Sequence, residues 1–149
     1  MVGTGDTFQR QRGDYTVHAS TNGSDGMDAA VACGFLQSTS WARGFSADQL
    51  REAFRNSLCF SLFGHGKQIG FARVITDCVT FAYLCDVYIA PECRGRGLGT
   101  WLVRCALEHP KVSPLRRVAL ITHDRHEFYR RLGFGQAAQA DSYMEKLLG

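Results

Sequence analysis

The run Asp86-Val87-Tyr88-Ile89-Ala90-Pro91-Glu92-Cys93-Arg94-Gly95-Arg96-Gly97-Leu98-Gly99 passes from an apolar, β-like segment through a proline into alternating glycines. Pro91 has no amide donor and closes the strand. Downstream, Leu98, Trp101, Leu102, Cys105 and His109 recur at helical spacing, which predicts a helix from about Gly97 to Glu108. Glycines between a strand and a helix let successive backbone N–H groups point at phosphate oxygens, and the new helix adds unpaired amides and the positive end of its dipole. The cradle expected here comprises Arg94, Gly95, Arg96, Gly97, Leu98, Gly99 and Thr100, with the two arginines adding charge-assisted hydrogen bonds from the flanks. The spacing G-x-G-x-G lacks both the third glycine position of a dinucleotide fingerprint and the Lys-Ser/Thr of a nucleoside-triphosphate loop. In isolation the pattern also suits a flexible turn with surface arginines, but the strand before it and the helix after it favour a diphosphate site.

Upstream, three β-like runs, Leu58 to Phe63, Gln68 to Thr76 and Val79 to Ala90, are separated by hairpin-length connections at Gly64-His65-Gly66-Lys67 and Asp77-Cys78. They predict an antiparallel meander. Before it, Ala29, Val31, Ala32, Phe35 and Leu36 suit a short helix, and Ser46-Ala47-Asp48-Gln49 caps a second that continues through Leu50, Ala53 and Phe54. Tyr15-Thr16-Val17-His18 is a short β-prone run. Downstream, Arg117 to Thr122 reads as a buried strand, so strand, helix and strand form a right-handed parallel crossover. A short helix from about Arg125 to Leu132 stops at Gly133, and Asp141 to Leu148 offers a final β-like run. The order predicts an α+β fold with a mixed, mainly antiparallel sheet, a central parallel crossover and about four helices.

With 149 residues, 45% hydrophobic and 21% charged, the chain has the size and composition of one globular domain. Apolar runs fall short of the roughly 18–20 residues that span a bilayer, and Met1 to Thr7 lacks the basic start and apolar stretch of a secretory signal, so no membrane role and a cytoplasmic location are expected. The net charge of +3 is spread along the chain, which argues against nucleic acid and allows a small anionic ligand. The six cysteines form no C-x-x-C pair, and reduced, mostly buried thiols are expected.

The segment from Asp86 to Gly99 resembles the GCN5-related N-acetyltransferase (GNAT) superfamily, whose pattern is a β-strand, Arg/Gln-Gly-x-Gly-x-Gly/Ala and a helix. Glu127-Phe128-Tyr129-Arg130-Arg131-Leu132-Gly133-Phe134 is similar to the superfamily's helix ending Tyr-x-x-x-Gly-Phe. With the Gln68-Ile69-Gly70-Phe71-Ala72-Arg73 strand, the likeness covers Gly64 to Phe134. It implies a single N-acetyltransferase domain over residues 1–149, with acetyl-coenzyme A (acetyl-CoA) as cosubstrate, no metal, and direct transfer of the acetyl group to a primary amine in a ternary complex. The acceptor would be a small molecule or a peptide.

The resemblance also implies roles for particular residues. The Val87 and Ile89 amides would hold the pantetheine arm, and amides of that strand would polarise the thioester carbonyl. Tyr129 would donate a proton to the departing thiolate, whose free pKa is near 8.5; on composition alone it also reads as a core tyrosine. Asp86 is a candidate base for the incoming ammonium, or a recognition group for a cationic substrate. Thr122 stands where the superfamily often has Asn, within reach of the cofactor or the helix start. Trp41 and His126 are expected to line the substrate cleft. His123, Asp124 and His126 are too few, and lack the spacing, for a metal site. Two other readings use the same residues: a non-catalytic acyl-CoA binding or sensing module, and a pairing module whose C-terminal strand makes a homodimer possible.

Overall fold

The computed structural model describes residues 7–149, so the Met1 to Thr7 start falls outside the described residues except for Thr7. Six strands form one sheet in the order β1 (Gln9–Arg12), β2 (Tyr15–Ser20), β3 (Leu58–Gly64), β4 (Lys67–Thr76), β5 (Ala82–Ile89) and β6 (Val118–Ala119). All neighbours are antiparallel except β5 and β6. Helices α1 (Ala29–Gln37) and α2 (Ala47–Arg55) lie between β2 and β3 in sequence, α3 (Leu98–Glu108) crosses from β5 to β6, and α4 (His126–Arg130) follows. The expected α+β architecture is present.

Local chemistry accounts for most boundaries. The Asp28 carboxylate accepts from the Val31 amide and starts α1. Ser46 and Gln49 form a reciprocal capping box at α2, with Gln49 N–H donating to Ser46 Oγ at 3.1 Å and Ser46 N–H to Gln49 Oε1 at 2.9 Å. The β3–β4 hairpin turns on His65 and Gly66, at φ 53 and 75, as a two-residue connection between right-twisted strands requires.

The sheet separates two apolar clusters. On one face Phe60, Leu62, Val74, Leu84, Leu102 and Val103 pack the strands against α3. On the other, Leu36, Leu50, Phe54, Cys59 and Phe71 pack them against α1 and α2. Directly opposed residues share a face, so the row Cys59, Arg73, Cys85 lies on the α1/α2 side with Phe71. The thiols are free; burial pushes Cys59 and Cys85 up to about 12 and Cys105 up to about 11, leaving all three neutral.

Four sequence expectations need correction. β1 has the sequence Gln-Arg-Gln-Arg, is exposed throughout, and offers no apolar alternation to detect. β5 begins at Ala82, not Val79, because Asp77 accepts from the Val79 and Thr80 amides and from Thr80 Oγ1, closing a side-chain turn that keeps those residues out of the ladder. The Arg117 to Thr122 run pairs only at Val118–Ala119, since β5 turns away beyond Tyr83. The Asp141 to Leu148 run forms no strand: Ala140–Ser142 make one turn of 3-10 helix, and Met144, Leu147 and Leu148 stand in solvent without a neighbouring strand to supply hydrogen bonds.

His109, just past α3, is buried against Phe8 and Phe60, with ring centroids 4.7 and 5.6 Å away, and its Nδ1 accepts from the Lys111 amide at 3.1 Å. Burial, reinforced by Lys111 and Arg10, holds its pKa below the ordinary 6.5. The unfolded chain therefore takes up a proton near pH 6.5 while the folded chain resists, so stability is full above 6.5 and falls as the pH drops below it. Thermal melts from about pH 8 to about pH 5 are expected to show this decline in Tm, and His109→Phe is expected to flatten it.

Candidate active site

The ladder between β4 and β5 shifts register between Phe71 and Arg73: Arg73 faces Cys85 whereas Phe71 faces Tyr88. Asp86 occupies this bulge with φ 54, in the left-handed region that costs a non-glycine residue about 1–3 kcal/mol. The bulge bends β5, and β5 and β6 are paired only at Ala82–Val118 and Tyr83–Ala119 before they part. Past the bulge, the Ala90 amide donates back to the Ile69 carbonyl on β4 at 2.8 Å. Strand alternation then points the Ile89 and Val87 amides away from β4, into the gap. Both side chains are half-buried against the α3-side cluster.

The gap leads to the glycine loop. Gly95 and Gly97 have φ 79 and 75, and Gly97 is the N-cap of α3. It carries no side chain to satisfy the first amides, and the first α-helical bond runs from Trp101 N–H to the Gly97 carbonyl. The Leu98, Gly99 and Thr100 amides are thus left over at the positive end of an 11-residue helix. A Cβ added at Gly95 or Gly97 would meet nothing within 4 Å, so the loop opens onto free space. An anionic diphosphate fits this cradle. The Leu98 side chain is buried and contributes only backbone, while Thr100 is half-buried in the first turn. Arg94 Nε donates to the Ile89 carbonyl at 2.8 Å, and its guanidinium lies 5.4 Å from the centre of the Tyr88 ring. Arg96 leans onto the Tyr15 hydroxyl at 3.3 Å. Both arginines therefore flank the loop, resting on protein groups.

Tyr129 is aimed by the end of α4. The Phe134 amide returns to the Tyr129 carbonyl and the Gly133 amide to the Arg130 carbonyl, each at 3.0 Å, and Gly133 has φ 94. This is a Schellman closure, with its usual apolar contact made by Tyr129 and Phe134, ring centroids 5.8 Å apart. Phe128 lies edge-on to Tyr129 at 4.9 Å. Burial, with a smaller contribution from Cys85 on β5, raises the Tyr129 pKa against the opposing pull of Arg125, so the phenol stays protonated at neutral pH. Among the described residues no hydrogen bond occupies its hydroxyl. Thr122 Oγ1 accepts from the Arg125 amide at 3.0 Å and so supports the start of α4.

Asp86 and Trp41 meet directly. The Trp41 Nε1–H donates to Asp86 Oδ1 at 3.0 Å, while Arg73 Nε donates to Asp86 Oδ2 at 2.7 Å. The ion pair is secluded, with side-chain exposures of 15% for Arg73 and 7% for Asp86. Removing one partner of such a pair costs about 3–5 kcal/mol, because the other charge is stranded. Arg73 was missed in the sequence; its signal is a charge at an inward position of an apolar strand, which demands an acid nearby. His126 is exposed, as are His123 and Asp124, and among the described residues no hydrogen bond or ion pair joins it to Trp41 or Asp86.

A family model, the Acetyltransferase (GNAT) domain, matches residues 55–136. An acetyltransferase-family protein of Gibberella zeae is 38% identical over 154 residues, covering 87% of this chain and 84% of that protein. A GNAT-family structure from Xanthomonas campestris pv. campestris superposes with a TM-score of 0.80 at 40% identity, over 89% of this chain and 93% of that one. A Clostridium acetobutylicum protein solved with acetyl-CoA shares the fold at a TM-score of 0.67 and 14% identity, over 90% and 96% of the two chains. The parted strands, the glycine cradle and these similarities together identify the chain as a member of the GNAT family of acetyltransferases.

Proposed function

We propose that this enzyme moves an acetyl group from acetyl-CoA to the primary amine of a small molecule or peptide by direct transfer within a ternary complex. The observation that carries this reading is the meeting of two features. The uncapped amides of Leu98, Gly99 and Thr100 open at the end of a strand whose own Val87 and Ile89 amides face the gap, and a protonated Tyr129, carried by α4, packs on the same apolar cluster as Val87 and Ile89. Bound acetyl-CoA supplies an activated thioester. The helix-end amides and the glycine loop bind its diphosphate, helped by Arg94 and Arg96. The Val87 and Ile89 amides orient the pantetheine arm and polarise the acetyl carbonyl, because fixed dipoles in a partly dry gap need no reorganisation as charge develops. Tyr129 gives its phenolic proton to the departing sulfur, and the proton that the attacking amine sheds passes to solvent, from which the phenol is restored. Thr122 holds the start of the helix that carries Tyr129. The acetyl-CoA bound by the Clostridium acetobutylicum neighbour supports the same donor here.

The test is thiol release from acetyl-CoA with a panel of primary amines: phenethylamine, spermidine, an amino sugar and a tripeptide. Turnover of at least one is expected; coenzyme A binding with no turnover of any amine would leave a binding module instead. Tyr129→Phe is expected to lower kcat by about 100-fold or more while coenzyme A affinity is kept. Because the Tyr129 pKa lies above the ordinary 10.0, any alkaline loss of the wild-type rate from this group should have its midpoint above that pH. Gly97→Ala is expected to raise the KM for acetyl-CoA and to cost about 1–2 kcal/mol, seen as a Tm lower by several degrees, since alanine does not readily adopt φ 75.

A further inference from the structure

A chain of hydrogen bonds crosses the α1/α2 side of the sheet and ends at the bulge. Ser57 Oγ donates to the Ala53 carbonyl in the last turn of α2 at 2.7 Å and accepts from Arg73 Nη1 at 3.0 Å. Arg73 Nε continues to Asp86 Oδ2, and Asp86 Oδ1 receives the Trp41 indole N–H. The end of α2, the middle of β4, the bulge of β5 and the α1–α2 connection are thereby tied through one carboxylate.

We propose that Arg73, Asp86 and Trp41 form a strut that sets the geometry of the transfer site: Asp86 is a positioning residue, and Trp41 is the wall it pins on the acceptor side. The proposal rests on the acetyl-transfer reading for what the site does, and on geometry alone for the strut.

Three observations carry it. First, each carboxylate oxygen already accepts a hydrogen bond from a protein donor, one of them a guanidinium with which it forms a secluded ion pair. A group so engaged is poorly placed to take a proton from an arriving ammonium. Second, the left-handed conformation of Asp86 is unfavourable for a non-glycine residue and persists only where its surroundings over-determine it. The two side-chain bonds to Asp86 supply that determination, and the direction of the next amides, Val87 and Ile89, follows from it. Third, Trp41 is 57% exposed although its N–H is bonded to a buried acid. A core tryptophan would bury its ring; this one is anchored at the nitrogen and presents its face to solvent. The connection beneath it is itself fixed, with Thr39 Oγ1 bonded to the Leu36 carbonyl at 2.6 Å and to the Ala42 amide at 3.2 Å. A ring held this way loses little freedom when an acceptor packs on it.

The strut and a general base make opposite predictions for a double-mutant cycle. Arg73→Gln and Asp86→Asn are each expected to lower the rate of thiol release by about 100-fold, the usual effect of misplacing a site by an ångström. The double variant Arg73→Gln/Asp86→Asn restores a neutral amide pair across the same gap and is expected to recover at least about tenfold of that loss. If Asp86 is the base, Arg73→Gln stays near the wild-type rate and the double variant is as slow as Asp86→Asn; that result overturns the proposal. A second measurement needs no substrate. In a Trp101→Phe background the emission reports Trp41 alone, and Arg73→Gln, at a residue with no hydrogen bond to Trp41 itself, is expected to shift it as Asp86→Asn does. Unchanged emission in a folded Arg73→Gln protein overturns the strut even where no amine is turned over. Failure of the wild type to bind coenzyme A would instead count against the acetyl-transfer reading and leave the emission test standing. Should the ion-pair variants not fold, Trp41→Phe keeps the pair intact and removes the indole N–H together with the five-membered ring that carries it. An increase of about tenfold in KM for the best amine of the panel, with coenzyme A affinity unchanged, is then expected, and an unchanged KM refutes the wall.

Discussion

The parting of β5 from β6 is the constraint on which the rest of this structure depends. Two residue pairs hold the strands together, in the parallel arrangement whose slanted hydrogen bonds are the weaker kind. Beyond them the bulge at Asp86 turns β5 aside, and the amides of Val87 and Ile89 lose the strand that a regular sheet would supply. Backbone donors left unpaired inside a protein carry a free-energy cost comparable to a lost hydrogen bond. A fold that keeps such donors at the mouth of an open gap keeps them for something that enters it. The glycine loop at the end of the same strand extends this logic, since Gly97 gives α3 an N-terminus without a side-chain cap. One bend in one strand thus exposes two successive sets of backbone donors along one path.

The two faces of the sheet divide the work. The α3 side is an apolar core whose role is to hold the crossover in place. The α1/α2 side carries the only secluded ion pair among the described residues, and its charge balance is simple. Burial disfavours the Arg73 charge, and the thiols of Cys59 and Cys85 beside it would favour it only as thiolates. With both thiols pushed up to about 12, they are neutral near pH 7, and Asp86 is the partner that offsets the burial of Arg73. A buried pair of this kind adds little net stability compared with well-packed apolar residues, but it admits few geometries. At the bulge, geometry is what the site requires.

What could be read in the sequence follows the range of the forces involved. The glycine loop, the α2 capping box and the α3 periodicity are local, and they stand where the residues place them. Strand lengths are set by neighbours, which explains why Val118–Ala119 is shorter than the apolar run around it and why Asp141 to Leu148, without a partner strand, is no strand at all. β1 was illegible for the opposite reason, since its pairing with β2 is carried by backbone and its side chains carry no pattern. Asp86 was legible as a candidate but not its company: Arg73 and Trp41 lie 13 and 45 residues away, and only the bulge brings them to one carboxylate. The exposed position of His126 has the same origin, because the first residue of a short surface helix is placed by the strand end before it.

Tyr129 shows how a short motif can serve structure and chemistry together. In Tyr-x-x-x-Gly-Phe, the glycine supplies the left-handed residue that ends α4, and the aromatic residue after it packs on the tyrosine at the other end of the closure. The spacing that recommends Tyr129 as an acid is therefore the spacing that a Schellman closure needs. A helix of five residues would fray if left to its own hydrogen bonds, so the closure and the Thr122 bond at its start are what give Tyr129 a fixed direction. The same packing that fixes the ring also removes water from it, which raises its pKa and keeps the proton where a departing thiolate would need it. Position and protonation state thus have one cause, the burial of a tyrosine at the end of a short capped helix.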